Sequence, residues 1–262
     1  MTTGSLPHII LFLSTVIFLI LTCLIASKIS RKWQNIMFAF AALMGSGGIL
    51  FRYALNLSFS DGFDISRLLI QMLQVCNFNF ILLILMLIPR FEVARQYSVF
   101  FSMFAAATTL FSFPVSYSQY EWNDPIILNF WLNHVFAIAL PLWMIFSRRL
   151  VPQKKYIPLI SGCVVLYFVS VYLFTELLMK VEILPLGSSF SYVHDPKGMP
   201  IISWLYELIG LPLVHLIPLL PVLIIFFYLF EYKLLSRINN YHYSFFCLFS
   251  SIYFSKNIKR RS

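Results

Sequence analysis

Residues 125–146 read PIILNFWLNHVFAIALPLWMIF, and residues 66–88 read SRLLIQMLQVCNFNFILLILMLI. Each run is long enough to cross a bilayer as a helix, which takes about 20 apolar residues. Five further runs have the same character, at about 8–27, 35–57, 97–116, 156–178 and 201–230. Around them the chain of 262 residues is 60% hydrophobic and only 11% charged, a composition that excludes a soluble domain of this length. No hydrophilic segment is long enough to fold alone. The expected fold is therefore an all-α polytopic membrane helix bundle of about seven transmembrane helices, and any activity has to be built from helices and short loops.

The net charge of +9 is distributed as the positive-inside rule requires, which sets it apart from a nucleic-acid footprint. Lys28, Arg31 and Lys32 follow the first run, Arg90 and Arg95 the third, and Arg148, Arg149, Lys154 and Lys155 the fifth. Lys233, Arg237, Lys256, Lys259, Arg260 and Arg261 follow the seventh. The alternate loops carry Asp61, Asp64, Glu121, Asp124, Glu182 and Asp195 against Arg67, Lys180 and Lys197. This alternation predicts the N-terminus outside and the C-terminus inside. The first run has its positive charges after it rather than before it, as a retained span does and a cleaved signal peptide does not. Cys23, Cys76, Cys163 and Cys247 all lie in apolar stretches, so no disulfide framework is implied.

Residues 1–236 are read as a transmembrane domain and 237–262 as an interfacial tail. In that tail Phe245, Phe246, Leu248, Phe249, Ile252 and Tyr253 share one helical face, and the basic end KNIKRR suits an anionic membrane surface. The loop at 180–200 is long and carries several prolines and glycines, either a solvated connector or a lid over an outward site. The seventh run contains Pro212, Pro218 and Pro221 and is expected to form two half-helices or one strongly bent helix.

Polar residues concentrate in the expected outer half. Cys76 and His134 each sit about ten residues into their runs, roughly 15 Å deep at 1.5 Å per residue. Gln71, Gln74, Asn77 and Asn79 accompany Cys76; Asn129 and Asn133 accompany His134. Arg52 lies near the outer end of the second run, Glu207 in the outer part of the seventh, and His215 deeper. Polar side chains at membrane depth are costly and so mark candidate sites. Each also has a plain structural role open to it. A buried Cys is usually inert, Asn and Gln often bond a neighbouring helix, and Arg52 and Glu207 can neutralise each other. The chemistry of a thiol beside an imidazole is nevertheless specific. Histidine titrates near neutrality, a thiolate attacks acyl groups, and nearby amides can donate to an oxyanion. In a bilayer the abundant acyl ester is a glycerophospholipid.

Gln71, Leu73 (or Met72), Gln74, Cys76 and Asn77, then Phe130, His134 and Pro141, then Gly187, Tyr192, Gly210 and Pro212 form a pattern that resembles the YwaF-like integral membrane family over about residues 9–237. That family includes a eukaryotic branch with a membrane acyltransferase that moves fatty acyl chains between phospholipids through an intramembrane Cys and His. The resemblance implies Cys76 as nucleophile and His134 as general base, 58 residues apart as in that family. Asn77, Asn79 or Asn133 would position the ester or oxyanion, and Arg52 would attract the headgroup phosphate. Tyr192 and Glu207 complete the expected substrate-binding set. The chain departs from the pattern after Gly187, where Ser189 and Phe190 replace an expected Asn-Tyr, and after Pro212, where Leu213 and Val214 stand in place of an aromatic. These departures bear on substrate orientation.

The expected function is intramembrane cysteine-dependent acyl transfer, or acyl hydrolysis, on phospholipids. No metal or cofactor is expected, and the partners are membrane lipids, not nucleic acid. A bacterial source would place the chain in the plasma (inner) membrane. A small-solute transporter or channel, and a non-catalytic membrane assembly partner, are the competing readings. The broken seventh run suits the transporter; the lack of an internal repeat argues against it.

Overall fold

The computed structural model describes residues 2–59, 74–113, 120–184, 193–194 and 200–230. Among them every regular element is helical. The elements are α1 (Leu6–Lys28), α2 (Arg31–Phe59), α3 (Asn79–Met86), α4 (Glu92–Tyr97), α5 (Met103–Phe111), α6 (Pro125–Phe146), α7 (Ile157–Lys180), α8 (Pro200–Ile209) and α9 (Leu219–Leu229). Three described stretches are long and apolar enough to cross a membrane: Leu6–Lys28, Pro125–Phe146 and Lys154–Lys180.

Helix α6 is the centre. Of its most apolar stretch 72% is buried, against 17% for α1 and 28% for the stretch containing α7. Its start is fixed by chemistry legible in the sequence. Asp124 caps it by accepting the Ile126 N–H at 2.8 Å, and Pro125 occupies the first turn, where its missing N–H costs nothing. Its end is a Schellman turn. Arg148 adopts φ 59°, its N–H donates to Ile145 O at 2.9 Å, and the Arg149 N–H donates to Met144 O at 2.8 Å. Helix α7 ends the same way: Glu182 adopts φ 59° and the Ile183 N–H reaches Leu178 O at 3.0 Å.

Side-chain ties fix the helix directions around α6. Trp131 and Trp143 donate their indole N–H groups to Thr15 at 2.8 Å and Thr22 at 2.9 Å, so α1 runs parallel to α6. Helix α2 runs antiparallel. A side chain on Gly45 would collide with Leu83 of α3 and touch Phe136 of α6, whereas Gly48 faces Asn129, a position nearer the start of α6. Gly45 is therefore a point where three helices meet, and a Cβ there would require the end of the Leu83 side chain to shift. The α4–α5 stretch is also antiparallel to α6. His8 and Thr3, at the start of α1, bond Leu110 O and Phe113 O at 2.9 Å each. At its other end Arg95 donates to Arg149 O at 2.7 Å.

The sequence expects one span at 97–116. The helical stretch begins earlier, at Glu92, and passes through a π-helical turn at Ser98–Ser102 before Met103–Phe111. Glu92 starts α4 because its carboxylate holds Arg95 at 3.1 Å and Gln96 at 2.7 Å within the first turn. In the described part of the third run a 3₁₀ turn at Val75–Phe78 leads into α3. The seventh run breaks between α8 and α9, with Gly210 at φ 71° and Leu213 at φ 62°. Pro212 and Pro218 lie in this break, where neither has to supply a helical N–H. The interfacial tail expected at 237–262 lies outside the described residues.

Candidate functional site

The 3₁₀ turn at Val75–Phe78 presents Cys76. The turn is held by the Asn77 N–H, which donates to Gln74 O at 2.9 Å. The half-buried Cys76 thiol lies 3.9 Å from the Gln74 side-chain oxygen, a sulfur hydrogen-bond distance. Gln74 thus engages the turn through its backbone and its side chain together. Asn77 is buried, 3% exposed. Phe78 points its ring edge-on at Tyr167 of α7, 5.3 Å between centroids.

His134 lies in the middle of α6 and is 1% exposed. Its Nδ1 lies 2.7 Å from Phe130 O. A carbonyl only accepts, so Nδ1 carries the hydrogen and a neutral His134 has its lone pair on Nε2. The Phe130 ring packs against the imidazole at 4.3 Å. The ring is therefore locked in tautomer and in orientation, which a general base requires. Asn133, beside it, is buried with no partner for its Oδ1 among the described residues. One turn earlier, Asn129 donates from Nδ2 to Gly48 O at 2.6 Å, so one of the α6 amides ties α6 to α2.

Leu83 and Phe136 both lie against Gly45, so α3, which follows the Cys76 turn, and α6, which carries His134, both touch α2 at this position. Arg52 follows on the same helix, one turn beyond Gly48; its side chain, like that of Asn79 at the start of α3, lies outside the described residues. Tyr192 lies outside them altogether. Glu207 is on α8 and exposed, apart from the buried polar residues of α6. His215 is fully buried, with Nδ1 3.1 Å from Leu211 O and its ring edge-on to Tyr206 at 5.0 Å.

One polar group is absent from the sequence-derived candidates. Glu176, inside the apolar α7, accepts from His194 Nε2 at 2.8 Å, and the His194 ring stacks on Tyr172 at 4.8 Å and 21°. A carboxylate in an otherwise apolar run of spanning length is by itself a flag for a site. His194 carries no such flag, because only the fold brings residue 194 against α7.

No curated protein and no solved structure matches the chain. A family model, that of the TMEM164 family, matches residues 3–231. The matched region takes in the 3₁₀ turn with Cys76, all of α6 with His134, and every helix described above; only residues 1–2 and 232–262 lie outside it. The match does not speak to the YwaF-like resemblance. Among the described residues the architecture is all-helical, with three stretches of spanning length, and with the family match over nearly the whole chain it agrees on one assignment: the chain belongs to the TMEM164 family, a family of membrane proteins.

Proposed function

We propose that this protein is an intramembrane cysteine-dependent acyltransferase acting on phospholipids, with Cys76 as nucleophile and His134 as general base. The observation that carries the reading is the His134 Nδ1–H bond to Phe130 O, which leaves Nε2 as the basic atom of a buried, immobilised ring. The YwaF-like resemblance of the Cys76 and His134 motifs supports the same pair. In the first step His134 Nε2 takes the thiol proton, and the Cys76 sulfur bonds to the acyl carbonyl carbon of a phospholipid ester. The ester C–O bond then breaks, and His134 returns the proton to the departing lysophospholipid oxygen. In the second step His134 takes the proton of an acceptor hydroxyl, that oxygen bonds to the thioester carbonyl, and the C–S bond breaks. The sulfur recovers the proton from His134. Water as acceptor makes the same cycle a hydrolysis. Asn77, Asn79 or Asn133 would donate to the carbonyl oxygen as it gains charge. Arg52 would hold the phosphate, with Tyr192 and Glu207 contributing to the substrate surface.

The chain is proposed to thread the bilayer seven times with its N-terminus outside, in the plasma membrane if the source is bacterial. The parallel run of α1 and α6, and the antiparallel run of α2 and α4–α5, support that alternation. The broken stretch between α8 and α9 favours a second reading, a small-solute transporter, because interrupted helices build midplane binding sites.

The two readings separate in one experiment. Purified protein is incubated with phospholipid radiolabelled in its acyl chain, without added acceptor, then treated with neutral hydroxylamine. Acyl transfer requires label on the wild type that hydroxylamine releases and that Cys76→Ser lacks. Normal lipid turnover by Cys76→Ser ends the proposal and leaves the transporter.

A further inference from the structure

A groove of about 540 Å³ runs along α7 from Tyr167 to Leu177. That is within the range of small-ligand sites, roughly 300–1,000 Å³. Ser170, Leu173 and Phe174 line it, and Leu173, Phe174 and Leu177 are exposed on the helix's outward face. Phe78 meets Tyr167 at one end. The ten steps along the helix from Tyr167 to Leu177 rise about 15 Å, half the roughly 30 Å hydrocarbon core of a bilayer. The groove is therefore as long as one leaflet is deep.

The other end of the same face is cationic. Lys180 lies three residues beyond Leu177 and seven beyond Leu173, so it continues their stripe. It is exposed and makes no ion pair among the described residues. The carboxylate one turn before it, Glu176, is bonded to His194. We propose that this groove binds one acyl chain of a phospholipid, with the phosphate at Lys180 and the methyl end of the chain against the Phe78–Tyr167 pair. An open apolar groove of one-leaflet length with a cation just beyond its end matches a lipid in its ordinary orientation. The ester of this lipid lies near Leu177, just inside Lys180, about 15 Å along the helix from Tyr167, which meets the Cys76 turn through Phe78. It is therefore a resident lipid and not the acyl donor, and its tail end abuts the Cys76 turn through Phe78. The assignment does not depend on acyl transfer.

The test uses the full chain, wild type and Cys76→Ser, in phosphatidylcholine nanodiscs. One preparation is doped with phosphatidylcholine bearing a diazirine at the acyl terminus, and another with the diazirine beside the carbonyl. After irradiation, adducts are mapped by peptide mass spectrometry. The terminal probe is expected on Phe78 and Tyr167 and the carbonyl-side probe near Leu177, equally in both proteins. Ser170→Trp fills the groove and is expected to reduce these adducts about tenfold, a change of about 1.4 kcal/mol. Leu173→Trp replaces it if Ser170→Trp does not fold. Lys180→Gln is expected to weaken labelling by both probes and Lys180→Arg to restore it. Adducts spread evenly over exposed residues of α1 such as Leu13 and Ile17, and unchanged by filling the groove, would reduce the occupant to bulk lipid and overturn the proposal. So would the carbonyl-side probe on Phe78, or labelling by a diazirine fatty acid that phosphatidylcholine does not match. Failure of the thioester experiment with these adducts intact removes the acyltransferase and leaves the lipid site standing.

Discussion

Gly45 of α2 faces Leu83 of α3 so closely that a Cβ would displace the end of the Leu83 side chain, and Phe136 of α6 lies close to the same position. The helix that follows the Cys76 turn and the helix bearing His134 therefore both rest against α2 at Gly45. Gly47, two residues on, has open space where a Cβ would be. Overpacking a tight contact costs about 1–3 kcal/mol, whereas Gly→Ala at an open helical position is neutral or stabilising by up to about 1 kcal/mol. Gly45→Val is expected to lower the melting temperature in detergent and Gly47→Ala to leave it unchanged or raise it. Equal melting of the two variants would mean that α2 and α3 do not meet as described.

Gln96 is a second structural prediction. It is fully buried at the end of the bundle where α4 meets the α6–α7 connection. Its side-chain N–H donates to Val151 O at 2.9 Å and to Glu92 Oε1 at 2.7 Å, and its oxygen accepts the Gln153 N–H at 3.0 Å. Replacing one partner of buried hydrogen bonds costs about 1–3 kcal/mol through the groups left unpaired. Gln96→Leu is expected to destabilise by that amount and to speed tryptic cleavage at Arg148 or Arg149. Unchanged proteolysis would mean that the connection is held by Arg95 alone.

How far the sequence could be read is clearest at these contacts. The bounds of α6 are legible in the sequence as the apolar run 125–146, and Asp124 and Pro125 supply a cap and a start that need no tertiary help. The break in the seventh run was visible in its prolines. The 3₁₀ turn under Cys76 was not, because hydropathy is blind to a change of helix type inside an apolar run. Glu176 was open to view in α7, but its partner His194 is fixed only by the path of the chain between α7 and α8. The preference of His134 for Nε2 as its basic atom is likewise a matter of one carbonyl four residues back, and sequence spacing does not orient a ring.

The threading of the chain has its own prediction. Asn123 precedes α6 and Lys154 precedes α7, at opposite ends of α6. In the proposed topology Asn123 is outside and Lys154 inside. Single cysteines at these positions are expected to differ in reaction with a membrane-impermeant maleimide added to intact cells: Asn123→Cys reacts, and Lys154→Cys reacts only after permeabilisation. The native cysteines lie in apolar stretches and give a low background. Labelling of both from the same side would sink the seven-span arrangement.

The final prediction concerns the proposed dyad. His134 is locked by Phe130, so a neighbouring residue cannot take over its position as base without moving α6. General-base catalysis contributes about 10²–10⁴-fold. His134→Ala is therefore expected to slow thioester formation by that factor while phospholipid binding changes little. Cys76→Ser is expected to lose at least as much, because an alcohol ionises far less readily than a thiol. Residues that act as one unit show non-additive losses, so the double variant is expected to be no slower than the slower single variant. The measurement is single-turnover acyl transfer from radiolabelled phospholipid to protein, with melting curves to confirm that each variant is folded. Fully multiplicative losses would mean that the two side chains act independently, and His134 would then be a buried packing residue of α6 and not the base for Cys76.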